Sequence, residues 1–113
     1  MAHVGVVFSF RVAPKDDAVV EGIMREIFDA MALEEFPSGD VLTYTLFRDP
    51  AEPGKWVMFE YFTQAGSERH SAGPLMLERG RRLVERMIGP YERILLDPVI
   101  ALGCGEPIPR ERP

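Results

Sequence analysis

Apolar and polar residues alternate over residues 4–12. Val4, Val6, Phe8, Phe10 and Val12 share one side of the chain, and Gly5, Val7, Ser9 and Arg11 the other. A period of two in β-branched and aromatic residues predicts a strand, and Pro14 closes it. The period then changes. Over 18–35 the apolar residues Val20, Ile23, Met24, Ile27, Phe28 and Met31 recur at i, i+3, i+4, i+7, i+8 and i+11, one face of an α-helix. Asp16 and Asp17 precede them, where carboxylates suit a helix N-terminus. Phe36-Pro37-Ser38-Gly39 stops the helix and turns the chain.

Residues 41–48 predict a second strand, 49–54 a proline-rich hairpin loop, and 56–62 a third strand that is apolar except for Glu60. Thr63 is placed to cap a short helix over 64–71, and Gly73-Pro74 breaks it. A last helix is predicted to run to residue 88, with Met76, Gly80, Leu83, Val84 and Met87 on its buried face and Gly89-Pro90 at its end. The final strand, 91–102, contains Pro98, which implies an edge position or a bulge. The domain is read as 1–103, and 104–113 as a loose tail with three prolines. The order βαββαβ predicts an α+β fold: a ferredoxin-like antiparallel sheet with helices on one face. Val57, Phe59 and Tyr61 point one way from the third strand, and Trp56, Met58 and Phe62 the other. Both sheet faces are therefore apolar, and parity leaves open which one meets the helices. The remaining face calls for a partner, and a homodimer joined sheet to sheet is the simplest.

Composition narrows the function. With 113 residues the chain is one domain, and 46% apolar against 27% charged residues argues for a packed core. The net charge of −5 speaks against nucleic acid as a partner. One cysteine, Cys104, precludes a disulfide within the chain and argues strongly against a thiolate zinc site. The apolar run 4–10 is too short to span a membrane and lacks the marks of a signal peptide, so a cytoplasmic location is expected. There is no His-x-His, Cys-x-x-Cys or His-Glu-x-x-His spacing and no glycine-rich phosphate loop; neither metal nor nucleotide cofactor is indicated.

Three segments carry a family resemblance: Thr43-Tyr44-Thr45-Leu46-Phe47-Arg48-Asp49-Pro50, Trp56-Val57-Met58-Phe59-Glu60-Tyr61-Phe62-Thr63 and His70-Ser71-Ala72-Gly73-Pro74. Together they resemble the antibiotic biosynthesis monooxygenase domain over about residues 4–103. The resemblance implies a dimeric α/β barrel of two ferredoxin-like protomers. It also implies one of the family's chemistries: cofactor-independent oxygenation of anthrones and quinols, haem degradation, or isomerisation of small signalling molecules. The haem-degrading branch and the best-described anthrone oxygenases use a pocket asparagine, and this sequence contains no asparagine. That departure favours the broader quinol-oxygenase-like group or a divergent member. The expected partners are O2 and a small hydrophobic or aromatic ligand, with no cofactor. The alternatives are a non-catalytic dimeric binding or accessory protein and, further off, a haem-degrading enzyme.

His70 is the first candidate for chemistry, since a neutral imidazole is a natural base at neutral pH. The structural alternative is a helix-end histidine capping carbonyls. Tyr44 and Arg48 are expected as donors to a substrate oxyanion, with half-buried packing and a plain Arg-Asp-Pro turn as the alternatives. Trp56, Glu60 and Tyr61 are expected to bind substrate. Trp56 could instead sit in the core or the dimer interface, and a salt bridge to Arg48 is the preferred role for Glu60. The arginine-rich stretch 78–86 reads as a solvated helix face, with Glu78–Arg82 and Arg81–Glu85 as i,i+4 pairs.

Overall fold

A computed structural model describes residues 3–99. Strand β1 (His3–Arg11) leads through a tight 3-10 turn (Pro14–Asp16) into helix α1 (Asp17–Leu33). Strands β2 (Val41–Arg48) and β3 (Lys55–Thr63) form a hairpin, and helix α2 (Gln64–Ala72) comes directly after it. A π-wound stretch (Met76–Gly80) then runs into the short helix α3 (Arg81–Val84), and strand β4 (Glu92–Leu96) ends the fold. The four strands make one antiparallel sheet in the order β2-β3-β1-β4. This is the predicted ferredoxin-like arrangement.

The core settles which sheet face meets the helices. Val6, Phe10, Met58 and Phe62 project from the sheet onto Val20, Ile23 and Ile27 of α1 and Leu83 of α3. These are the even-numbered positions of β1 and β3, which bring Phe10, Trp56 and Phe62 to the helices. The other face keeps Phe47, Ile94 and Leu96 exposed beside Val57 and Phe59.

Two predicted boundaries are corrected. The last helix ends at Val84, not 88, because tertiary backbone bonds capture residues 87 and 88. Ile88 N–H donates to the Arg11 carbonyl at 2.7 Å, and Met87 forms an isolated bridge with Val12. Val84, placed by periodicity on the buried face, is 52% exposed. The last strand stops at Leu96; it is an edge strand, as Pro98 implies. The expected strand end near 102 and the tail over 104–113 lie outside the described residues. Among the arginines of this region, Arg81 pairs with Glu85 at 3.7 Å as expected, but Arg82 reaches across to Glu26 of α1 at 3.1 Å instead of Glu78. Among the described residues no helix is long and apolar enough to cross a membrane.

Candidate functional site

His70 lies in the last turn of α2 and is buried. The local sequence explains its position. Thr63 ends β3 and caps α2, its hydroxyl accepting from the Gly66 N–H at 2.9 Å. The Thr63 N–H in turn donates to the Asp40 carbonyl at 3.0 Å, and Arg69 grips the Asp40 carboxylate with two nitrogens. Helix α2 is thereby fixed against the loop after α1. That loop supplies Glu35, whose carboxylate meets His70 Nδ1 at 2.6 Å.

A bond from Nδ1–H to a carboxylate sets the imidazole tautomer and leaves the other ring nitrogen as an acceptor. Around the ring stand Phe62 at 5.1 Å and Tyr44 at 5.7 Å between centroids, with Phe28 edge-on to Tyr44 at 4.7 Å. His70 and Tyr44 both line a cavity of about 350 Å3 between the sheet and the segment carrying the π turn and α3. Most of its wall is apolar, including Phe8, Ile27, Met58 and Met87. That volume suits a small ring system.

Glu60 lines the same cavity. It sits opposite Tyr44 in the β2–β3 register and is 8% exposed. Burial pushes its carboxyl up to about 7; the Arg93 charge partly offsets this, and the Glu35 carboxylate adds to it. An acid that titrates near neutrality inside an apolar pocket can give or take a proton during a reaction. Tyr44 is driven the other way from ionisation: burial, then the charges of Glu60 and Glu35, hold its phenol well above 10, so it remains a hydrogen-bond donor.

The buried carboxyl of Glu60 also has a stability signature. Its folded pKa lies above the usual carboxylate value, so the unfolded chain binds fewer protons between those two values. Stability therefore falls as pH rises from about 4.5 to about 7 and stays reduced above. The shift corresponds to about 3 kcal/mol. Glu60→Gln is expected to raise the melting temperature at pH 8 and to change it little near pH 5, as thermal melts at the two pH values will show. Equal effects at both would contradict the raised pKa.

The structure does not bring every candidate to this cavity. Arg48 lies opposite Trp56, at the far end of β2, and binds Asp17 and Glu21 of α1. The preferred Glu60–Arg48 salt bridge is thus absent: Tyr44 occupies the position facing Glu60, and the α1 carboxylates claim the guanidinium. Trp56 is buried in the core with Arg48 stacked 4.4 Å above its ring. Both line a separate groove between α1 and β2 that reaches Tyr44 from the other side. Tyr61 is buried on the opposite sheet face beside His3. Among the described residues, no group of three His, Cys, Asp or Glu side chains could hold a metal ion.

Sequence reasoning missed Glu35. A signal existed: Glu34-Glu35 follow α1 directly and its last turn has no basic residue, the wrong charge for a helix C-terminus. Such an unfavourable placement marks a carboxylate held for another purpose.

No protein-family model and no curated protein sequence matches the chain. Solved structures do. An antibiotic biosynthesis monooxygenase, so assigned, from Caulobacter crescentus superposes with a TM-score of 0.80 at 22% identity, covering 87% of this chain and 91% of that one. The chain has the antibiotic biosynthesis monooxygenase fold. A further antibiotic biosynthesis monooxygenase gives 0.75 at 22% identity over 85% of this chain and 98% of its own. SnoaB, a cofactor-independent oxygenase from Streptomyces nogalater solved as an asparagine-to-alanine mutant, gives 0.72 at 20% identity over 91% and 99%. At these identities the likeness to the monooxygenases is one of fold.

Proposed function

We propose that the chain is a cofactor-independent monooxygenase of a small aromatic phenol, quinol or anthrone-like compound. The observation that carries this reading is the convergence of His70, oriented by Glu35, with Tyr44 and Glu60 on one largely apolar cavity. The shared fold with SnoaB supports the same class. His70 takes the phenolic proton, and Tyr44 donates to a substrate oxygen. The resulting anion passes an electron to O2, and the radical pair combines to form a carbon–oxygen bond. Glu60 or protonated His70 then supplies a proton to the distal peroxide oxygen. The proton on the oxygenated carbon is removed as the O–O bond breaks, and the C–H electron pair becomes the new carbonyl bond. For a quinol the four electrons come from the ring, one oxygen atom stays on carbon as a hydroxyquinone, and the other leaves as water. A dry pocket protects the charged intermediates.

The direct test is oxygen uptake by the purified protein with menadiol or an anthrone. Turnover well above the rate of autoxidation is expected. Uptake no faster than autoxidation, together with tight binding of the same compounds, would make this a binding protein instead.

The apolar sheet face enters the same proposal. Val57, Phe59, Ile94 and Leu96 lie on one side of the sheet away from the helices, and a second copy of the chain covers them. Light scattering is expected to give about twice the 12.8 kDa chain mass. Phe59→Arg, which places a charge in the middle of that face, should return the mass of a single chain. A wild-type monomer at micromolar concentration would overturn the pairing.

A further inference from the structure

We propose that the cavity takes an aromatic acid and that Arg93 receives the carboxylate of that substrate. This rests on the oxygenase reading of the cavity and names its substrate class. Nine arginines fall among the described residues. Eight of them, at 11, 25, 48, 69, 79, 81, 82 and 86, have a carboxylate within ion-pair distance. Arg93 is the exception among the described residues. It is on β4 opposite Phe8, which turns it to the helix-facing side, where it lines the cavity with Glu60 and His70.

Among the described residues the other guanidiniums are all paired, so an unpaired one at a pocket is free to take an anion from outside the fold. Glu60 does not fill it: the two groups feel each other electrostatically but make no ion pair, and Glu60 holds its proton up to about neutral pH. Arg81, the other cation on the lining, is paired with Glu85 at 3.7 Å. Leu77, Val84 and Tyr91 line the cavity while more than half exposed. Largely apolar walls with one unpaired cation fit a ring system that carries one negative group. A guanidinium grips a carboxylate through two parallel N–H bonds. Glu60 in the cavity and Glu68 in the adjoining groove, which Arg93 also lines, disfavour a doubly charged phosphate.

The test uses the full chain and two ligands that cannot be oxidised further: anthraquinone-2-carboxylate and its methyl ester, titrated by calorimetry. The acid is expected to bind tenfold to a hundredfold more tightly than the ester, the range of a charge-assisted hydrogen bond. In Arg93→Met the acid-to-ester ratio falls to near one, and Arg93→Lys keeps part of it. The Arg93 side chain makes no hydrogen bond to the rest of the fold among the described residues, so the variants are expected to melt with the wild type. A ratio unchanged in Arg93→Met, an ester bound as tightly as the acid, or no binding of either compound overturns the proposal. So does tighter binding of a naphthyl phosphate than of a naphthoate. Oxygen uptake separates this from the parent reading. Turnover of a neutral anthrone without any acid preference removes the carboxylate site and keeps the oxygenase. Acid preference without oxygen uptake does the reverse.

Discussion

Replacing His70 with glutamine is expected to lower kcat by about a hundredfold to ten-thousandfold, the usual contribution of a positioned general base. Glutamine keeps most of the side-chain volume against Phe62 and Tyr44 but has no basic nitrogen. Steady-state oxygen uptake reads the effect, and a thermal melt shows that the fold is kept. Glu35→Gln is expected to cost less, about tenfold to a hundredfold in kcat with KM little changed. The amide can donate to Nδ1 as readily as accept from it, so the imidazole tautomer is no longer fixed. Glu35 acts only through His70 at 2.6 Å, so the two losses should not add. The double variant is expected to match His70→Gln alone. Additive losses would mean that Glu35 has a separate role, and a His70→Gln enzyme with wild-type kcat would remove the imidazole from the mechanism.

What the sequence made legible was local. The apolar spacing of α1 matches its buried residues Val20, Ile23, Met24, Ile27 and Met31, and the β2–β3 hairpin falls where its turn residues stand. Errors arose where distant backbone groups compete. The spacing of Met76, Leu83 and Met87 continues a helical period, but the Arg11 carbonyl and Val12 draw 87 and 88 into extended pairing. The site shows the same division. His70, Tyr44 and Glu60 were nominated from residue type together with the family resemblance, Glu60 second to a salt bridge, and they meet at one cavity. Arg48 was misplaced because its partner depends on register. A bulge between Val41 and Thr43 accompanies the pairing of Tyr44 with Glu60 and of Arg48 with Trp56. Arg48 then lies beside the carboxylates of α1. Glu35 acquires its meaning only when α2 docks on the loop after α1, a contact between residues 35 positions apart.

That docking supplies the second large effect. Gly66 lies in the first turn of α2, and a Cβ there would stand 2.5 Å from the Asp40 carbonyl oxygen and 2.8 Å from its Cα. Both are backbone atoms, and the carbonyl oxygen already accepts from Thr63 N–H, so they cannot yield as a flexible side chain would. Intrinsic helix propensity alone would favour Gly66→Ala by about 1 kcal/mol. The clash outweighs it, since overpacking costs about 1–3 kcal/mol and relief requires the helix to move. His70 is one turn further along the same helix and moves with it, which lengthens its bond to Glu35. A displacement of about 1 Å at a catalytic group costs about a hundredfold in rate. Gly66→Ala is therefore expected to lose both melting temperature and turnover. Gly22→Ala provides the contrast: it is the same replacement inside α1, where a Cβ meets nothing within 4 Å, and should stabilise the fold by about 1 kcal/mol with activity intact. If both variants gain stability, α2 has slack against Asp40. If Gly66→Ala loses stability but keeps full kcat, His70 does not depend on the docked position of α2, and the coupling between the loop after α1 and the proposed base is absent.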